Sequence, residues 1–106
     1  MPNKVICQYR VKRGNEDAFE ELLANHWLTL HRLGLVTDVP SQHFKGEEQD
    51  NGEPIYFEIF DWLDEAVGRA HEHPDVMAIW EPMDQLCESR GGKPNMEFPH
   101  VDTLDS

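Results

Sequence analysis

The segment IYFEIFDWL at residues 55–63 constrains the fold more than any other part of this 106-residue sequence. Its side chains alternate between two rows: Ile55, Phe57 and Ile59 on one, and Tyr56, Glu58, Phe60 and Trp62 on the other. Both rows are largely apolar, and a β-strand with two apolar faces is covered on both sides. We therefore expect helices against one face of the sheet and a second apolar surface against the other.

The remaining segments place this strand in a known arrangement. Residues 4–12 alternate as a first strand, and residues 16–33 have the periodicity of an amphipathic helix. Residues 41–47 are predicted as a second strand, residues 64–90 as helical up to a stop at Gly91 and Gly92, and residues 95–101 as a short edge strand. The order β-α-β-β-α-β predicts a ferredoxin-like α+β subunit with a four-stranded antiparallel sheet, forming a single domain over residues 1–106.

Individual residues are predicted to begin, end or bend the helices. Asn15 is suited to cap the first helix, and Gly34 is suited to end it. Asp61 or Asp64 is expected to cap the second helical region. Pro82 is expected to kink that region or to start a new segment, because proline has no backbone N–H to donate.

Charge and composition exclude several classes of partner. Nine Lys and Arg against 21 Asp and Glu leave a net charge of -12, which argues against nucleic acid and anionic membranes as partners. No stretch approaches the roughly 20 apolar residues of a membrane span, and the opening MPNKVICQYR is too polar for a signal peptide. Cys7 and Cys87 do not resemble a disulfide framework, so we predict reduced, buried thiols in a cytoplasmic protein.

The sheet itself predicts self-association. A four-stranded sheet of this kind has helices on one face only, and neither row of the strand at residues 55–63 belongs in water. A second copy of the chain, packed sheet to sheet, would cover the bare face. At about 25 cal/mol per Å² of buried apolar surface, such a face is sufficient to drive obligate pairing. We therefore predict a homodimer.

His26 is the first candidate for chemistry, since it lies in the middle of the apolar stripe of the first helix. An unsatisfied polar group there costs about 1–3 kcal/mol, so the ring needs a partner. One interpretation is a core histidine bonded to a backbone carbonyl or to Glu58. The other is a general base, or a donor that orients a substrate, in a pocket between the helix and the sheet.

Glu58 and His71 are the other candidates. A carboxylate among Tyr56, Phe60 and Trp62 has a raised pKa unless it is paired. If its face meets the helices, Glu58 can reach His26; if that face meets a partner sheet, Glu58 is an interface residue. His71 precedes Pro74 near a predicted helix end, and a two-histidine, one-carboxylate metal site with His26 and Glu58 is a further alternative.

Large aromatic residues are numerous for a small chain. Trp27, Trp62 and Trp80 usually belong to a core in such a domain, but with Tyr56 they are also candidates for the walls of a site that binds a flat aromatic molecule. No glycine-rich phosphate loop, nucleophile elbow or CxxC metal motif occurs in the sequence.

Two stretches resemble the dimeric α+β barrel superfamily, which includes the antibiotic-biosynthesis monooxygenase-like domains. In the first, an opening strand leads through a VKxGxExxF pattern into a helix; the matching residues are Val11, Lys12, Gly14, Glu16 and Phe19. In the second, a Glu-x-aromatic strand is followed by an alanine-bearing helix with a histidine and a proline; the matching residues are Glu58, Phe60, Ala66, His71 and Pro74. The resemblance implies a homodimer whose two sheets form a barrel, with a pocket between each sheet and its helices.

Three functions follow from this resemblance and the candidate residues. The first is a small enzyme of the monooxygenase-like group acting on an aromatic or polyketide-like substrate without a cofactor. His26 would be its base, Glu58 the group that orients this base, and Trp27 or Trp80 a stacking wall. The second is a non-catalytic ligand-binding or stress-response dimer. The third is a protein that binds haem or a metal through His71.

Overall fold

The computed structural model describes residues 3–104, in which three helices accompany an antiparallel sheet. The elements are β1 (Asn3–Arg10), α1 (Glu16–Arg32), β2 (Gln42–Glu47), β3 (Pro54–Trp62), α2 (Ala66–Glu72), α3 (Pro74–Leu86), β4 (Met96–Glu97) and β5 (His100–Val101). The predicted α+β class and the β-α-β-β-α-β order are confirmed. The second helical region is divided before Pro74 and ends at Leu86, before the predicted stop at Gly91 and Gly92, because Cys87 is in extended conformation. The last strand is divided at Phe98 and Pro99.

The strands lie in the order β2-β3-β1-β4, and β5 also pairs with β1. All of these pairings are antiparallel. The register places both Cys7 of β1 and His43 of β2 opposite Glu58 of β3. Directly opposed residues share one face of a sheet, so these three side chains lie on the same face.

Burial identifies the face of the sheet that packs against the helices. The buried side chains of this face belong to β1 and β3: Val5, Cys7, Tyr9, Tyr56, Glu58, Phe60 and Trp62. Phe19, Leu23 and Leu30 of α1 are buried with them and form the apolar stripe that the sequence predicts. The row containing Glu58 therefore faces the helices, which answers a question that the alternation alone left open. On the other face, Phe57 and Ile59 are only partly buried.

Two helix N-termini differ from the predictions. Asn15 occupies the N-cap position of α1, but its side chain makes no capping hydrogen bond. Glu65, in left-handed backbone conformation with φ 63°, precedes α2 in place of the expected Asp61 or Asp64. Asp61 instead lies 3.1 Å from the Lys4 ammonium group. A side chain held by an ion pair across the sheet is not free to fold back onto a helix terminus.

Pro82 lies inside α3, so the prediction that it starts a new segment is wrong. The helix continues to Leu86, and Met83, which follows Pro82, is buried in the hydrophobic core. Burial of Met83 offsets part of the cost of the hydrogen bond that proline cannot donate. Gly34 has φ 73°, the left-handed conformation expected of a residue that ends a helix.

Two further sequence predictions are addressed by the structure. Cys7 and Cys87 are both buried and unpaired, as predicted. Within residues 3–104, no helix has the length and apolar character required to cross a lipid bilayer.

Candidate functional site

A cavity of about 560 Å³ lies between the sheet and the helices α2 and α3. Its buried end is formed mainly by side chains of the sheet and of α1: Val5, Cys7, Tyr9, His26, Phe60 and Trp62. Its mouth is formed by exposed side chains of the last helices and the C-terminal strands: His71, Glu81, Asp84, Gln85, Phe98 and His100. The volume is within the range of pockets that hold small organic molecules.

His26 and Glu58 form a buried pair at the inner end of this cavity. The Nδ1 atom of His26 lies 2.7 Å from Oε1 of Glu58, and the two residues are 2% and 0% exposed. His26 is held in place because α1 packs its apolar stripe onto the sheet, so a polar residue in that stripe meets β3. The structure therefore brings together the two residues that the sequence suggested as a pair, and Glu58 does not point toward the bare sheet face.

Trp80 determines which nitrogen of His26 carries a proton. Its indole N–H donates to Nε2 of His26 over 2.8 Å. An indole nitrogen donates only, so Nε2 must accept and the proton of the neutral ring lies on Nδ1. That proton points at Glu58, which accepts it. The pair thus holds a neutral imidazole with a lone pair at Nε2, the atom that a general base uses.

Tyr9 and His43 complete the surroundings of Glu58, and sequence reasoning assigned no role to either. The Tyr9 hydroxyl donates to Oε1 of Glu58 over 2.8 Å, and Nε2 of His43 lies 3.0 Å from Oε2. The signal that identifies His43 is the register of β2 and β3, which places it directly opposite Glu58. That register was not predicted from the sequence, because the second strand is short and its alternation weak.

These contacts keep the Glu58 carboxyl group ionised. Burial by itself raises the pKa of Glu58. The charge that His26 can carry and its hydrogen bond act in the opposite direction, and His43 and Tyr9 add two further hydrogen bonds. Together they lower the pKa of Glu58 from 4.5 to about 2. Glu58 is therefore an anionic acceptor at neutral pH, as required of a group that holds the proton of His26 on Nδ1.

Two of the four aromatic candidates line the cavity, and the other two lie elsewhere. Trp62 and Trp80 line the cavity, as expected. Trp27 does not, because its ring stacks on His31 one helical turn further on, with 4.7 Å between the ring centroids. Tyr56 also lies outside: its hydroxyl donates to Glu20, and its ring borders a separate cavity of about 230 Å³ between α1 and β2. The expectation that Trp27 and Tyr56 wall the same pocket is therefore wrong.

His71 lies at the mouth of the cavity and not at its buried polar end. Its side chain is exposed, and its ring packs against Trp80 with 4.8 Å between centroids. The helix α2 that carries His71 is short and ends at the cavity rim, which keeps this residue away from Glu58. Among the residues that the structure describes, no group of three His, Cys, Asp or Glu could hold a metal ion. The expected metal site of His26, Glu58 and His71 is therefore not formed, while haem ligation by His71 stays a prediction.

No protein-family model matches the chain, and no curated protein matches it in sequence. Solved structures do match it, over nearly the whole length of both chains. An antibiotic biosynthesis monooxygenase has a TM-score of 0.69 at 15% identity, with 97% of this chain and 99% of that chain covered. SnoaB, a cofactor-independent oxygenase from Streptomyces nogalater, has a TM-score of 0.67 at 18% identity, with 99% and 95% covered.

A dimeric ferredoxin-like protein of unknown function from Jannaschia sp. CCS1 matches equally well. Its TM-score is 0.66 at 15% identity, with 97% of this chain and 100% of that chain covered. The protein therefore has the fold of the dimeric α+β barrel proteins, as the sequence resemblance implied. Identities this low establish the fold and leave function to the site itself.

Proposed function

We propose that the protein is a homodimeric enzyme that oxygenates a flat aromatic small molecule in the cavity of each subunit, without a protein-bound cofactor. The observation that carries this proposal is the orientation of His26. Glu58 accepts the proton on Nδ1, so the lone pair of the imidazole is on Nε2, at the wall of an aromatic cavity. A carboxylate that sets the tautomer of a histidine base is a recurring catalytic arrangement.

His26 acts as the general base in the first step. Its Nε2 atom removes a proton from an acidified C–H group of the substrate, and the electron pair of that bond remains on carbon. The ring becomes an imidazolium ion, which the Glu58 carboxylate stabilises from the Nδ1 side over 2.7 Å. Proton transfer by a positioned base of this kind contributes about 10²–10⁴-fold to a rate.

The carbanion then reacts with molecular oxygen, which is the second substrate. One electron passes to oxygen, the two radicals combine to form a C–O bond, and the resulting peroxide takes the proton from His26. Loss of water leaves a carbonyl group, so the substrate CH₂ and O₂ become C=O and H₂O. The substrate supplies all of the electrons, and none of the steps needs an additional reductant.

Trp80 regulates access to the base. Its indole N–H occupies the Nε2 lone pair of His26, so a substrate must displace the indole before the proton can be transferred. Trp80 is only partly buried and lies on α3 at the cavity wall, which gives the ring room to turn. Substrate binding and exposure of the base are thereby coupled.

The comparisons support the proposal at the level of fold. SnoaB is a cofactor-independent oxygenase and shares the architecture over almost the full chain. The Jannaschia protein is dimeric, which supports self-association of this chain as well. The free, buried cysteines are consistent with the proposed cytoplasmic location.

Anthrone provides a direct test of the reaction. It is a flat tricyclic ketone whose CH₂ group is acidified by both neighbouring rings, and its oxidation to anthraquinone consumes one O₂ and releases one H₂O. We expect the protein to accelerate oxygen uptake above the spontaneous rate. His26→Gln should lower this rate by about 10²–10⁴-fold, while the control His31→Gln, an exposed residue of the same helix, should leave it unchanged.

Two outcomes would contradict the enzymatic proposal. Equal rates for His26→Gln and His31→Gln would show that His26 is not the base. Anthrone binding without any oxygen uptake would indicate the alternative of a non-catalytic ligand-binding dimer. Both outcomes leave the fold and the cavity unaffected.

The proposed dimer has its own test. Phe44, Phe57 and Ile59 lie on the face of the sheet that the helices do not cover, and Phe44 is 51% exposed. We expect a molecular mass of twice 12.3 kDa by sedimentation equilibrium. Ile59→Glu should shift the protein toward the monomer, whereas Leu28→Glu, on the exposed side of α1, should not. A monomeric wild-type protein would overturn this part of the proposal.

A further inference from the structure

We propose that the cavity selects flat aromatic molecules that are uncharged or cationic, and that it rejects carboxylates and phosphates. This inference rests on the proposed function, because it names the class of molecule that the same cavity accepts. Three features of the cavity support it: the charges at its mouth, the carboxylate behind its inner wall and the hydrogen-bond character of its polar atoms.

The mouth of the cavity carries only negative formal charges. Glu81 and Asp84 of α3 line it with exposed side chains. No lysine or arginine occurs among the lining residues in the described part of the chain. The net charge of the whole chain, these two residues included, is -12. An anion that comes closer than the screening length of the solution is therefore repelled.

The inner wall adds a buried negative charge. Glu58 does not line the cavity itself, but its carboxylate contacts Tyr9 and His26, which do. The charge of Glu58 also acts on Cys7, which lines this wall. Burial is the larger cause that raises the pKa of Cys7, and the negative charge of Glu58 is the second. A second anion placed against this wall would be desolvated without a cation to pair with it, which is costly in any protein interior.

Hydrogen-bond acceptors occur at both ends of the cavity. At the inner end, Nε2 of His26 accepts from Trp80 in this structure, and a ligand donor would replace that indole. At the mouth, the carboxylates of Glu81 and Asp84 accept as well. A carboxylate or phosphate ligand would bring further acceptors to these atoms, while an amine or hydroxyl group would satisfy them.

The walls between the two ends favour aromatic and cationic ligands. Phe60, Trp62, Trp80 and Phe98 all line the cavity, and aromatic rings attract positive charge to their faces. His71 and His100 are the titratable groups at the mouth that could oppose this selection if they were protonated. The test is therefore made at pH 8.5, where imidazole groups are ordinarily neutral.

The test uses three probes that share one ring system: 2-(aminomethyl)naphthalene, 2-(hydroxymethyl)naphthalene and 2-naphthoate. Binding to the full-length protein is measured by isothermal titration calorimetry at pH 8.5 and low ionic strength. We expect the amine and the alcohol to bind at least about tenfold more tightly than the carboxylate. Val67→Trp, which fills the cavity at a lining position, should abolish binding of all three probes.

Charge-neutralising variants test the cause of the selection. Glu81→Gln, alone and combined with Asp84→Asn, should reduce the preference for the amine over the carboxylate by about threefold or more. Glu81→Gln alone is informative because Asp84 also accepts a hydrogen bond from Asn95. The control Glu21→Gln with Asp50→Asn removes two exposed charges that do not line the cavity and should leave the preference unchanged.

The outcomes separate this inference from the proposed function. Equal binding of all three probes, or preferred binding of naphthoate, would overturn the selection while leaving the cavity as a ligand site. Absence of binding by every probe, or binding that survives Val67→Trp, would overturn the cavity as a site for aromatic ligands and the proposed function with it.

Discussion

Two buried polar clusters in this protein differ in what surrounds them. The histidine cluster is built on Glu58 and has open space on one side: Tyr9, His26, His43, Glu58 and Trp80. The arginine cluster lies where the end of β1 meets the hairpin before β3 and the C-terminal segment: Arg10, Glu48, Arg90 and Glu97. Both place charges where water is largely excluded, so both need partners.

The partners of the arginine cluster all come from the chain itself. Arg10 donates to the Pro94 carbonyl over 2.7 Å and lies 2.6 Å from a carboxylate oxygen of Glu97. Arg90 donates to Glu48 over 2.8 Å and to the Val11 carbonyl over 3.0 Å. None of the four residues of this cluster lines either cavity. The cluster joins distant segments, and Nε of Arg10, a buried N–H without a hydrogen bond in the described part of the chain, lies 3.7 Å from Glu48 and away from both cavities.

In the histidine cluster, Nε2 of His26 is satisfied by Trp80, a partly buried side chain that faces a cavity. The base of this cluster has one partner that the fold holds rigidly and one that a ligand can displace. Both clusters are buried and charged, so charge does not separate them. They differ in their neighbours: the arginine cluster is enclosed by the chain, whereas the histidine cluster borders a cavity.

The largest expected effect is the loss of turnover in Glu58→Gln. The amide cannot stabilise an imidazolium ion and no longer holds the proton of His26 on Nδ1, so anthrone oxidation should fall by about 10²–10⁴-fold. The free energy of unfolding should fall by only about 1–3 kcal/mol. Oxygen uptake and urea denaturation measure the two quantities, with Glu48→Gln as the control that should keep its turnover. Retained turnover in Glu58→Gln would remove the functional distinction between the clusters.

Next in size is the destabilisation of Arg10→Met. This change leaves Glu97 without its closest cation and the Pro94 carbonyl without its donor. Because the Glu97 side chain is 38% exposed, water can solvate its charge, so we expect a loss of about 1–3 kcal/mol, which the midpoint of urea denaturation would register. At a temperature where the variant remains folded, its anthrone turnover should equal that of the wild type. A loss of turnover in the folded variant would mean that the arginine cluster also serves the site.

A smaller effect is expected in the pH dependence of stability. The pKa of Glu58 in the folded protein is about 2, against an ordinary value of 4.5, so the unfolded chain takes up the proton first as the pH falls. The stabilisation is complete above about pH 4.5 and is lost toward pH 2, by up to about 3 kcal/mol. Urea denaturation of wild type and Glu58→Gln from pH 6 to pH 3 should give converging stabilities. Parallel curves would contradict the lowered pKa.

The smallest expected effect belongs to His43→Ala. It removes one of the three hydrogen bonds to Glu58, at a side chain that is 33% exposed. Because water can take its place, we expect a loss of about 1 kcal/mol in the free energy of unfolding and up to about tenfold in turnover. His43→Gln, which can still donate to Glu58, should recover part of both losses. An effect as large as that of Glu58→Gln would place His43 among the essential residues of the site.

The sequence alone was sufficient for the architecture and for part of the site. Alternation in β1 and β3, the periodic stripe of α1 and the order of the segments specify the fold, because they depend on local geometry. His26 and Glu58 were recognisable for the same reason: each is a polar residue at a position where the local pattern requires an apolar one. Such exceptions can be read without knowing what lies opposite them.

Only the tertiary structure could decide what those residues meet. The choice of the β3 row that faces the helices depends on how the whole sheet packs, and the role of His43 depends on the register between two strands. The positions of Trp27 and Trp80 differ for a similar reason: each is an aromatic residue on an amphipathic helix, but only Trp80 is turned toward the cavity. Contacts between segments distant in the sequence arise from packing, which a one-dimensional pattern does not encode.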